Sequence, residues 1–136
     1  MAFVLDASVT ISWFFPDEQH PDASEAWRRS ATEEVSVPLH WWFEVRNTLL
    51  LGERRGRISE RHTSIALDRL SRLPIIIAPR PNDVDVLALA RRHRLTFYDA
   101  AYLELAQREQ MDLATLDLQL ATAARREHVE VIGTAP

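Results

Sequence analysis

The sequence predicts an α/β protein, in which a central, mainly parallel sheet of short strands is doubly wound with helices on both faces. Three observations predict it. Apolar runs of strand length alternate with longer amphipathic stretches along the whole chain. Several of the amphipathic stretches carry their own start and stop residues. No linker, repeat or low-complexity segment divides the 136 residues. A chain of this length forms one domain with its own core, and strands separated by helices are brought side by side in parallel.

The elements follow in order. Residues 2–6 form a short apolar strand, and residues 22–31 an amphipathic helix entered through Pro21. Residues 35–37 form a strand closed by Pro38. A leucine-rich helix over 41–55 ends at Gly56, and a second over 59–73 opens on the cap candidate Ser59 and stops at Pro74. The three isoleucines at 75–77 read as a strand, and Asn82 caps a helix over 82–92. A helix over 98–109, a strand over 113–116, a helix over 118–126 and a last strand over 129–132 complete the chain.

Composition narrows the chemistry. With 46% hydrophobic and 26% charged residues the chain is of ordinary globular type. It has no cysteine, which excludes disulfides, thiolate metal sites and cysteine nucleophiles. No segment reads as a signal peptide or a membrane span, and a soluble, cytoplasmic protein is expected. All 16 basic residues are arginine, and the net charge of −4 argues against a polyanion binder held by bulk electrostatics. The same field would attract a basic protein partner.

Four acids stand where such a sheet collects its functional residues. Ligands bind beyond the carboxyl ends of the strands. Asp6 ends the first strand, and Asp117 follows the strand over 113–116. Glu44 and Asp99 fall in the first turns of helices. Four carboxylates in one pocket repel one another, a cost that a divalent cation would remove, so the set points to a Mg²⁺- or Mn²⁺-dependent enzyme acting on phosphate esters. Each acid also has a plainer explanation. Asp6 could cap the next helix, and Glu44, in the apolar turn Trp41-Trp42-Phe43-Glu44-Val45, could pair with an arginine. Ser8 stands two residues after Asp6, and Thr115, two before Asp117, could hold a carboxylate or a metal-bound water or be simply a β-former in its strand.

The stretches Asp6-Ala7-Ser8, Glu44-Val45-Arg46-Asn47, Tyr98-Asp99-Ala100-Ala101-Tyr102-Leu103 and Leu113-Ala114-Thr115-Leu116-Asp117 resemble the four motifs of the PIN-domain ribonucleases. The likeness is strongest to the VapC toxins of bacterial and archaeal toxin–antitoxin pairs. It spans the chain from first strand to last. The resemblance implies a PIN-like three-layer α/β/α sandwich and a Mg²⁺- or Mn²⁺-dependent endoribonuclease, commonly a homodimer, inhibited by a cognate antitoxin. Carried over by residue, it makes Asp6, Glu44, Asp99 and Asp117 the acidic catalytic and metal-site residues. Ser8, Asn47 and Thr115 are then supporting polar positions.

Other features yield less. The histidines at 20, 40, 62, 93 and 128 form no zinc pattern, and surface or capping roles are expected of them. The arginine runs at 54–57 and 91–94 complement helix ends or touch phosphates. Trp13-Phe14-Phe15 cannot all face one core from one short helix, so a partner is expected to cover part of them; a loop folded back over the core is the alternative. A haloacid-dehalogenase-like phosphatase would need a second Asp at position 8 and a lysine, and a receiver domain would need its lysine; this chain has Ser8 and no lysine. A nuclease of the same fold outside a toxin–antitoxin pair, a nuclease acting on DNA, and an inactive interaction module of the same fold are the remaining alternatives.

Overall fold

The structure is a computed structural model that describes residues 1–133. Its centre is a four-stranded, wholly parallel sheet in the order β3-β2-β1-β4, with β1 at Ala2–Leu5, β2 at Glu34–Val37, β3 at Ile75–Ile77 and β4 at Asp112–Ala114. Seven α-helices occur among the described residues: α1 (Ala7–Phe14), α2 (Pro21–Ser30), α3 (Leu39–Arg54), α4 (Glu60–Ser71), α5 (Asp83–His93), α6 (Phe97–Glu109) and α7 (Leu118–Arg126). Helix α1 packs on α2 and α3, and α6 packs on α5 and α7, with the sheet as the middle layer of an α/β/α sandwich. Phe3, Val4 and Leu5 are all fully buried, so both faces of β1 are covered, as in parallel sheets generally.

The order of the strands positions the site. The chain runs outward from β1 to β2 to β3, then returns to place β4 on the other side of β1. The strand order therefore reverses between β1 and β4, and the crevice at the carboxyl ends of those two strands is where such folds bind ligands. The Asp6 N–H donates to the Ala114 carbonyl at 2.9 Å, which ties the exit of β1 to the end of β4.

The expected caps form. Ser59 Oγ accepts from the His62 N–H, and Asn82 Oδ1 accepts from the N–H groups of Val84 and Asp85. Gly56 takes a φ of 72° just beyond α3, a conformation that costs a glycine nothing. Two expectations change. The segment 129–132 adds a single parallel bridge, Val131 to Leu113, to the edge of β4 and does not form a strand among the described residues. Val129 is still hydrogen-bonded to Ala124 at the end of α7 and Gly133 turns at φ 113°, so the described contact with the edge is confined to residues 130–132, which pair with Leu113.

The second change concerns Trp13-Phe14-Phe15, for which cover by a partner was expected. The chain buries Phe14 and Phe15 itself and leaves Trp13 half-buried. Phe15 is fully buried and Phe14 nearly so, while Trp13 packs edge-on to Trp27 and donates its indole N–H to the Ala23 carbonyl. The run straddles the end of α1, with Phe15 already extended at φ −109°, so successive rings leave the backbone in directions one helix would not allow. Phe15 reaches α3 at Gly52, where an added Cβ would stand 2.7 Å from its ring. Arg57 closes the other face, its guanidinium 4.4 Å from the ring centre and paired with Asp17 and Glu18.

Candidate active site

Asp6 occupies the N-cap position of α1, yet its side chain makes no capping bond. It is 5% exposed, and two hydroxyls converge on Oδ2: Ser8 Oγ and Thr115 Oγ1 each donate at 2.7 Å. Among the described residues no hydrogen bond goes to Oδ1. The cradle is itself held, since Ser8 Oγ accepts from the Leu116 N–H at 3.0 Å and Thr115 Oγ1 accepts from the Asp117 N–H at 3.1 Å. The sequence elements 6–8 and 115–117, more than a hundred residues apart, thus form one network across the β1–β4 crevice. Helix capping, the plainer explanation of Asp6, is what Asp117 does instead: its Oδ1 accepts from the Leu120 N–H at 2.9 Å, which leaves Oδ2 outside the cap.

Glu44 and Asp99 enter from α3 and α6. Among the described residues Glu44 pairs with no arginine; the Tyr102 hydroxyl donates to its Oε1 at 2.7 Å, and His40 Nε2 stands 3.4 Å from the same oxygen. Asp99 lies in the first turn of α6, where Thr96 caps the helix by accepting the Asp99 N–H. Asn47, one turn beyond Glu44, is exposed and joins none of the site's hydrogen bonds. Arg46 covers Trp42, with its guanidinium 3.9 Å from the indole and a bond to the Trp42 carbonyl.

The acids feel one another. Burial, joined by the charges of Asp99 and Glu44, pushes the Asp6 carboxyl up to about 6 against the pull of its two hydroxyl donors. Asp99 is raised by burial and then by the charges of Asp117 and Glu44. Glu44 is raised by burial, which outweighs the Tyr102 bond. This is a site with surplus negative charge and oxygen donors only. Among the described residues no three His, Cys, Asp or Glu side chains stand close enough to hold an ion unaided. A hard cation such as Mg²⁺ retains several waters and needs only one or two carboxylates directly, so the donor set fits it.

The PIN-domain family profile matches residues 3–126. The chain is also 35% identical over 124 residues to a protein named Ribonuclease VapC3 from Pyrobaculum aerophilum, covering 89% of this chain and 93% of that one. It is a PIN-domain protein. Solved structures agree on the fold: a Pyrobaculum aerophilum protein superposes with a TM-score of 0.72 at 23% identity, over 96% of this chain and 92% of that one. A toxin–antitoxin complex from Klebsiella pneumoniae gives 0.59 at 22% identity, over 88% and 89% respectively.

Two residues of this PIN domain's site were not singled out by their sequence. His40 was assigned a surface or capping role, but it packs its ring on Tyr98 and Tyr102 and stands over Glu44. Its position four residues before Glu44 puts both on one face of α3, a spacing that could have found it. Tyr102 is three residues after Asp99 and needs the tertiary contact with α3 to acquire a role.

The raised carboxyls make stability depend on pH in a definite direction. A carboxyl whose folded pKa exceeds its unfolded value favours the folded state fully below the unfolded pKa and loses that contribution as pH rises to the folded one. For Asp6 the window lies between 3.8 and about 6. His40, lowered by burial, opposes the trend, so the comparison is best made as a difference. Without added metal, Asp6→Asn is expected to be more stable than the parent at pH 7.5 by up to roughly 3 kcal/mol, less the cost of a misplaced amide, and to lose that advantage by pH 4. Urea titrations of both proteins across this range measure it, and a pH-independent difference would refute the buried charge.

Proposed function

We propose that this PIN domain is a Mg²⁺- or Mn²⁺-dependent endoribonuclease that acts as the toxin of a toxin–antitoxin pair. The observation that carries this reading is the convergence of Asp6, Glu44, Asp99 and Asp117 on the crevice between β1 and β4, with Asp6 buried in a cradle of hydroxyls. The relative named a ribonuclease supports the choice of substrate. Asp6 and Asp99 would hold the ion, with Asp117 Oδ2 and Glu44 at its periphery. When bound, the ion would make water more acidic and offset charge on the scissile phosphate. Ser8 and Thr115 fix the Asp6 carboxylate in one orientation, so that no reorganisation is needed as charge develops. Tyr102 holds Glu44 Oε1, which leaves Oε2 to take the proton of the attacking water.

Protein partners belong to the same reading. A small antitoxin would meet the acidic crevice with an arginine and compete with the metal, and a second copy of the chain is expected in the assembly. Both are tested by purifying the chain with the product of a neighbouring small reading frame and measuring the mass of the complex. The nuclease reading is tested by incubating the purified protein with RNA. Cleavage is expected with Mg²⁺ or Mn²⁺ and should fall to background in EDTA; equal cleavage in EDTA would reject the metal-dependent mechanism.

A further inference from the structure

An apolar groove of about 390 Å³ opens beside the acids. Its walls include Phe43, Ile77, Phe97 and Tyr98, and two arginines, Arg80 and Arg108, stand on its rim. Phe43 and Tyr98 are 60% and 61% exposed, and each immediately precedes a site acid, Glu44 and Asp99. His40 joins the two regions, since it lines the groove and also stands 3.4 Å from Glu44 Oε1. Its Nε2 is buried without a hydrogen-bond partner among the described residues.

We propose that this groove holds an unstacked nucleobase of single-stranded RNA next to the scissile phosphate, with Tyr98 as the stacking surface and Arg80 as a contact to the backbone. The inference rests on the nuclease reading and adds to it a base-holding subsite outside the four acids. Aromatic faces at an acidic site attract nothing anionic by themselves, but a base has a π-face, and stacking on an aromatic side chain holds it whatever its sequence. The charge on the rim complements this arrangement. Arg108 is engaged with Glu104 and the Pro79 carbonyl, while Arg80 is exposed and makes no ion pair among the described residues, so a phosphate would be its natural counterion. A hydrolytic site must also hold the nucleotide beside the cleaved bond to keep attack in line, and a groove contiguous with the acids does so. A base in a duplex is already stacked and paired, and cannot enter.

The test uses Asp99→Asn protein, in which cleavage is expected to be at least about 100-fold slower, and a mixed-sequence oligoribonucleotide carrying 2-aminopurine, either single-stranded or annealed to its complement. The single strand should bind about tenfold more tightly than the duplex, with quenching of the 2-aminopurine. Adding Tyr98→Ala should weaken binding by about tenfold and abolish the quenching. Arg80→Ala should lower the slope of log affinity against log salt by about 0.7. Unchanged affinity and quenching in Tyr98→Ala would overturn the proposal. So would a Tyr98→Ala protein that binds RNA normally but sediments at half the parent's mass, because the groove would then belong to a second copy of the chain. Cleavage by the parent protein is measured separately. Loss of binding in Tyr98→Ala with no cleavage by the parent would reject the nuclease and keep the base site, whereas cleavage with unchanged binding would do the reverse.

Discussion

Asp99→Asn is expected to lower the rate of RNA cleavage by at least about 100-fold while the protein stays folded. Asp99 is half-buried in the first turn of α6, and its carboxyl is pushed up by burial and by Asp117 and Glu44. The neutral amide keeps the shape and relieves that repulsion, so stability should be unchanged or higher. On the proposed function activity should suffer, because the amide cannot supply the charge that would draw a divalent cation into the crevice. The measurement is single-turnover cleavage at saturating Mn²⁺, with a urea titration beside it. A folded variant that cut at the parental rate would remove Asp99 from the site. A loss of activity matched by unfolding would leave the catalytic role unsupported by this variant, and Asp117→Asn, whose remaining Oδ1 can keep the α7 cap, would then carry the comparison.

Phe15→Ala is expected to have the largest effect on stability, a loss of about 3–5 kcal/mol. Its ring is fully buried and sits against the bare backbone of Gly52. Neither neighbour can fill the space. Gly52 has no side chain to move, and Arg57 is held at the rim by Asp17 and Glu18. The cavity therefore persists, which is the condition under which a large-to-small substitution costs most. The denaturation midpoint of Phe15→Ala against that of the parent measures this. A loss below about 1 kcal/mol would mean that the ring is not a core element, and would restore the idea of a partner-covered surface.

The acidic site and the proposed base groove meet one design constraint from opposite sides. The acids need low exposure and rigid donors to be effective, and Asp6 has both. A site that admits a polymer must also leave neighbouring surface open, and Phe43 and Tyr98 are open at the positions just before two of the acids. The cost of exposing two aromatic rings is the counterpart of the cost of burying Asp6. On the proposed function, both would be recovered only on binding of ion and substrate.

Much of this was legible in the sequence, for identifiable reasons. Alternating apolar runs and amphipathic stretches fixed the α/β class, because side-chain periodicity is a local property of strand and helix. Ser59, Asn82 and Gly56 marked helix ends, because capping depends on residues within a few positions. Asp6, Asp99 and Asp117 could be picked out because they follow strands or begin a helix; Glu44, expected in a first turn, lies in the second turn of α3, because that helix starts at Leu39, directly after Pro38. Other features depended on distance in space. Nothing local to Asp6 says that Thr115 donates to it, since the parallel pairing of β1 with β4 creates that bond. Helix capping at Asp6 and at Asp117 looks alike in sequence, and only the crevice decides that Asp117 caps while Asp6 does not. Trp13-Phe14-Phe15 looked like a partner surface because one helix cannot bury three consecutive rings. The chain solves this by ending α1 within the run and presenting Gly52 to Phe15. His40 and Tyr102 gain their places only when α3 and α6 meet over the sheet. The sequence by itself determined the elements and the chemistry available to them. The tertiary structure decided which oxygens face which donors, because that follows from strand order and not from spacing along the chain.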